Sequence, residues 1–201
     1  CPGGIIVPSS TLENESVVNG MSNSMRNSPF ANSGLVVEIR PEDLAEYAEH
    51  GAFAGLAFQQ EYERTAFRYG GQGQIAPGQR ITDFVLGRNS SSLPDHSYHP
   101  GLVCSPMHQW IPDTIRTRLQ EGLRFFGRRI KGFLTEEAIM AGVESRTSSP
   151  VRILRDPLSG HHPELPGLFP AGEGAGYAGG IVSSAMDGEQ AADYAVRFIG
   201  A

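Results

Sequence analysis

Cysteine is almost missing from this chain. Only Cys1 and Cys104 occur among 201 residues, far apart and outside any CxxC pair. A disulfide framework is therefore not expected, and a reduced, cytoplasmic compartment fits. Basic clusters are equally scarce. Lys and Arg total 16 against 22 Asp and Glu, for a formal net charge of −6. The one basic run, "RRIK" at 128–131, sits where a helix end would favour cations. The clustered basic face of a nucleic-acid binder is not present. No apolar run approaches the length of a membrane span, and no signal-peptide pattern opens the chain. Metal-ligand sets are missing too. Asp95, His96 and His99 in "DHSYHP" have metal-like spacing, but nothing completes an ordered site. His161 and His162 fall in a separate loop, so all these histidines are expected to be solvated or structural. No Ser-His-Asp arrangement follows from order alone, and catalytic residues stay unassigned.

What the chain has in excess is glycine (25) and proline (14), within a globular composition of 39% hydrophobic and 19% charged residues. It can bury a core, but its loops are many. "SVVNGMSN" (16–23) and "SGLVVEIR" (33–40) carry β-branched centres bounded by turn residues and read as strands. "EDLAEYAEHG" after Pro41 reads as a short helix ending at Gly51. The spacing of Leu56, Phe58, Tyr62, Ala66 and Phe67 predicts a helix over 55–71. Residues 72–110 read as a long ordered loop holding a strand or short helix at "QRITDFVLG". Residues 112–130 form an amphipathic helix with Ile115, Leu119, Leu123 and Phe126 as its apolar stripe. "TEEAIMAG" (135–142) reads as a helix capped by Thr135, and Val151–Leu154 as a strand. "GLFPAGE" reads as a strand entering a glycine loop, and 180–199 as the last helix. Cys104 is expected to be a small buried hydrophobe and Trp110 a packing contact beside Pro112.

The densest signal is "GLFPAGEGAGYAGGIVSSAMDG", residues 167–188. Six glycines fall between Gly167 and Gly180, with one acid, Glu173, among them. Strand, glycine-rich loop and helix start make a cradle for an anion or cofactor. Glycine lets the backbone approach a ligand, and the first N–H groups of the helix point at negative charge. No Lys-Ser/Thr follows, so this is not a Walker A loop. Nor does it open a βαβ unit with an acid about 20 residues on, as the dinucleotide fingerprint does. Two further clusters stand out. Arg146, Thr147 and Ser148 in "ESRTSSP" could bind an anion bidentately, or could form an Arg–Glu pair and a hydroxyl-rich turn. Asn19 and Arg26 in "NGMSNSMRNS" read by themselves as a polar loop.

The glycine stretch looks like the C-terminal flavin motif of FAD-dependent oxidoreductases. The likeness extends through most of the chain. "CPGG", "VVNGMSNSMRNSPFANSGLVV", "FQQEYERTAF", "APGQRITDF" and "ESRTSSPVRILRD" resemble a group of uncharacterised bacterial FAD-dependent dehydrogenases. The resemblance implies an α/β fold, with α+β as the alternative. Residues 1–142 would be mostly a substrate-side domain. Residues 143–201 would be the C-terminal strand-loop-helix portion of a Rossmann-like FAD domain. The first βαβ unit of that domain would lie upstream of Cys1, so FAD would bind the longer protein and bind this piece weakly or not at all. By motif, Gly172, Glu173 and Gly174 would meet the ribityl and pyrophosphate part of FAD. Gly179, Gly180 and Ile181 would aim the helix start at the flavin ring. Arg146, Thr147, Ser148, Asn19 and Arg26 would line the cofactor or substrate cleft. The reaction would be hydride or electron transfer with an unidentified organic small-molecule substrate. Neither nucleic acid nor membrane is an expected partner, and self-association is expected where C-terminal strand edges are left open. The alternative from another class is a non-redox module for a nucleotide or sugar phosphate.

Overall fold

The computed structural model describes residues 2–200; Cys1 therefore lies outside the described residues. The chain divides into two compact units. One comprises Cys1–Pro41 and Gln60–Ser145, the other Glu42–Gln59 and Arg146–Ala201. The division falls inside "ESRTSSP", between Ser145 and Arg146.

In the first unit, β1 (Gly4–Pro8) pairs antiparallel with β2 (Val18–Ser22), setting Val7 opposite Asn19. The second sheet centres on β3 (Ala76–Arg80). It pairs parallel with β4 (Leu102–Cys104) on one side and antiparallel with β5 (Ile139–Ala141) on the other. β3 runs straight into α2 (Ile81–Leu86), which ends on the left-handed Gly87. The region read as strand or short helix is thus both in succession. α3 (Met107–Trp110) is a single turn before α4 (Asp113–Arg129). Pro112 is the residue before α4, and its carbonyl accepts the first helical bond from Arg116 N–H at 2.7 Å.

The main core gathers Phe84, Val85, Met107, Ile111, Leu119 and Leu123. Ile115 packs against it, so the apolar stripe of α4 faces inward as its spacing requires. Arg128 and Arg129 occupy the last turn, where the helix dipole favours them. A smaller cluster joins Val18, Ala76 and Tyr98. Trp110 stacks on Tyr69 at 5.5 Å and donates its indole N–H to Ser105 Oγ.

Part of the second unit is a 3-10 helix, Pro41–Phe53, followed by the start of α1 (Ala54–Tyr69). Tyr47 meets Phe58 edge-on at 5.4 Å. The rest is loop up to α5 (Ile181–Ile199).

Several sequence expectations change. Residues 135–142 are not a helix. Thr135 starts a turn, its carbonyl accepting Ala138 N–H, and Ile139–Ala141 pair with β3. Sheet pairing and the packing of Met140 on the core override local helix propensity. Residues 33–40 join no sheet. Their alternation is satisfied by packing, since Leu35 and Val37 lie against the main core. Val151–Leu154 and "GLFPAGE" are not strands either. Ile153 N–H bonds Ala175 O, while 162–168 fold into turns of their own. The C-terminal portion is thus loop and helix, without the strand expected of a Rossmann-like segment. Cys104 is exposed at the end of β4, not buried.

Candidate functional site

The glycine stretch owes its shape to one face of α5. Ser184, Asp187, Ala191, Tyr194 and Phe198 recur at helical spacing. Tyr194 and Phe198 reach the preceding loop, where Tyr194 Oη donates to Pro157 O and Phe198 meets Phe169 and His161. Asp187 fastens the loop directly. Its side chain is 10% exposed and takes a two-pronged bond from Arg155, which is 13% exposed: Nη2 to Oδ1 at 2.6 Å and Nη1 to Oδ2 at 3.0 Å. Oδ2 also accepts Gly172 N–H at 2.8 Å. The Arg155 bond, with Gly172 N–H assisting against the effect of burial, holds the Asp187 carboxyl below the usual range. Arg155 also donates to Pro170 O and lies 3.8 Å over the Tyr177 ring.

The loop then closes on itself. Tyr177 N–H bonds Gly172 O, and Gly176 N–H bonds Glu173 O, leaving the Glu173 side chain exposed at the corner. Gly172 has φ 73° and Gly176 φ 84°, the left-handed region that glycine tolerates. At Gly176 a side chain is also excluded by space, because a Cβ would fall 2.6 Å from Val151 O. Tyr177 Oη donates to Ile153 O and Arg152 Nε to Gly176 O. The loop 172–177 is thereby laid against 151–155.

The expected site residues fall into two sets. Gly172, Glu173, Gly174, Gly179, Gly180 and Ile181 form one continuous segment entering α5. Gly179 runs beside the Thr147–Ser148 backbone, with a Cβ there 3.5 Å from Thr147 O, and Ser149 Oγ is 3.4 Å from Gly174 O. The two sequence motifs, about 25 residues apart, are neighbours in one unit. Asn19 and Arg26 belong to the other unit. Asn19 is exposed on β2, and Arg26 occupies a turn with φ 48°, its N–H bonded to Asn23 Oδ1. At the helix start, Ser183 Oγ accepts Gly180 N–H and donates to Gly180 O. The N–H groups of Ile181 and Val182 have no carbonyl of the helix to reach. Ser184 Oγ is buried and, among the described residues, has no hydrogen-bond partner. Arg155 and Asp187 escaped the sequence reading. The only hint was an acid in an otherwise small-residue helix segment, "SSAMDG".

Residues 1–147 match the family described as "FAD-dependent protein, C-terminal domain-like". The chain belongs to this family. The match ends inside "ESRTSSP", so Gly172–Ile181 lie beyond it. An "Uncharacterized protein" of Clostridium beijerinckii (strain ATCC 51743 / NCIMB 8052) is 40% identical over 199 residues. That alignment takes in 98% of this chain and 37% of the relative, so the chain spans little more than a third of the relative's length. Family membership supports the recognition of a FAD-dependent C-terminal domain, and the observed mixture of helices and small sheets is consistent with the expected α/β class. No helix among the described residues is long and apolar enough to cross a membrane. No group of three or more His, Cys, Asp or Glu side chains among them could hold a metal ion.

Proposed function

We propose that residues 172–181 form the ribityl- and ring-facing end of a FAD site in a longer oxidoreductase, of which this chain is the C-terminal part. The observation that carries the reading is the segment itself. Exposed glycine backbone at Gly174, Gly179 and Gly180, and the exposed carboxylate of Glu173, sit at the start of a 19-residue helix. The residues fit such a group. Glu173 can accept hydrogen bonds from hydroxyls, and the first-turn N–H groups offer partial positive charge. Ser184 Oγ keeps an unused hydrogen bond one turn into the helix. FAD, when bound, would supply hydride or electron transfer to or from an organic substrate. This chain's share is positioning. Asp187, itself held by Arg155, fixes Gly172, and Thr147 and Ser148 flank Gly179.

The test is Glu173→Ala in the longer protein. Loss of one charged hydrogen-bond partner costs about 1.5–3 kcal/mol, about tenfold or more in affinity. The flavin-to-protein ratio after dialysis should fall accordingly. A ratio equal to that of the wild type would rule out this placement of Glu173.

A further inference from the structure

A second polar cluster lies wholly within the first compact unit and does not depend on the flavin reading. Gln79, on β3, is completely buried. Its Nε2 reaches both Arg88 O and His108 Nδ1 at 2.8 Å, and its Oε1 accepts His108 N–H at 3.2 Å. This pattern admits one amide orientation. Turned over, Oε1 would face a carbonyl and the NH2 group would face an N–H. The NH2 group therefore donates to His108 Nδ1, which must be an unprotonated acceptor. The imidazole proton then sits on Nε2. His108 is only 8% exposed, and among the described residues its Nε2 has no hydrogen-bond partner. Burial, and then the Arg116 charge, push the ring below its ordinary pKa. Asp83, whose carboxylate is bonded by Arg88 and Ser90, pulls the other way and less strongly.

His108 lines a hollow of ≈ 690 Å³ together with Gly87, Arg116, Gln120 and Arg124. The carbonyls ending α2 would make this hollow negative, but they are already met. Gln120 Nε2 donates to Phe84 O and Arg124 Nη2 to Val85 O, each at 2.7 Å. Arg116 Nη1 bonds His108 O and the exposed Asp113. Each guanidinium has five N–H donors, and these bonds occupy one nitrogen of each. We propose that this hollow binds a small oxyanion, a carboxylate or phosphate group, with His108 as a fixed neutral donor through Nε2 and Arg116 and Arg124 as its charged walls. Two cations and a neutral donor suit an anionic oxygen group better than a neutral ligand. A protonated imidazole would clash with the Gln79 NH2 group, so the cluster selects the neutral ring.

The test is nitrogen-15 NMR of the histidine rings in the full chain near neutral pH. Sodium phosphate, sodium acetate and sodium chloride are titrated in turn at matched ionic strength. The expected result is an unprotonated Nδ1 on His108 and a saturable shift of its ring signals with phosphate or acetate but not with chloride. The tighter of the two assigns the ligand class. Arg124→Gln and Arg116→Lys should each weaken that binding about tenfold. A proton on Nδ1 would overturn the proposal, as would shifts that are linear and alike for all three salts. Unchanged affinity in both variants would also overturn it. Should either variant fail to fold, the wild-type titration still decides.

Discussion

Asp187 illustrates how much of the second unit hangs on single side chains. Its carboxylate joins Arg155 and the Gly172 backbone, residues separated by up to 32 positions in sequence. Removing one partner of a largely buried pair strands the other, which costs about 3 kcal/mol or more. Asp187→Ala should therefore lower the unfolding midpoint clearly in urea. Arg155→Met combined with Asp187→Leu should cost less than either single loss, because no charge is left unpaired. The pair also sets a pH dependence. The Asp187 pKa is lowered in the folded state, so its contribution is complete above the unfolded carboxylate value of about 3.9. It is lost as pH falls through the folded value. Urea midpoints between neutral pH and about pH 3 should fall less steeply in Asp187→Asn than in the wild type. Parallel slopes would mean that the pair carries no proton linkage.

Among the elements, α5 and the loop before it obey different rules, and two glycines separate them. Gly188 lies in the helix interior with open space where a side chain would go. Gly188→Ala should stabilise by about 0.5–1 kcal/mol, by restricting the unfolded chain and favouring helix. Gly176 holds a positive φ against Val151 O. Gly176→Ala should destabilise by more than about 1 kcal/mol. Thermal melts of the two variants should move in opposite directions. A rise for both would mean that 172–177 does not pack on 151–155 as described. Elements with strong periodicity, α1, α4 and α5, were legible in the sequence to within a residue or two. Short strands were not. β1, β4 and β5 have three to five residues each, too few for a period to show, and their backbone is satisfied only by partners elsewhere.

At the scale of the whole molecule, the second unit exposes much apolar surface. On α5, Ile181 is 92% exposed, Val182 72%, Met186 65%, Val196 69% and Ile199 82%. Patches of this kind mark surfaces that bind something. The expectation of open strand edges gives way to an exposed helix face, since no strand lies in 146–200. The 201-residue chain alone should associate with itself through this face, and sedimentation velocity should show a mass above 21.6 kDa that rises with concentration. Val182→Lys with Val196→Lys should return it to monomer. A wild-type chain that stays monomeric at high concentration would refute the association. On the proposed reading of residues 172–181, the same chain should quench FAD fluorescence only weakly, because one end of a site would provide too few contacts to offset the entropy of association. Micromolar or tighter binding would show that the site is complete without further chain.

The sequence by itself determined the long helices, the inward stripe of α4 and the glycine-rich approach to α5. These rest on periodicity and on backbone freedom, which are local properties. It also carried the family likeness, now supported over residues 1–147. Tertiary structure decided which groups meet. It put Thr147 beside Gly179, fastened both Gly172 and Arg155 to Asp187, and brought Gln79 to His108 across 29 positions. It also turned 139–141 from a helix into a strand. The last three of those outcomes satisfy polar or backbone groups with partners distant in sequence, and only the folded chain sets such distances.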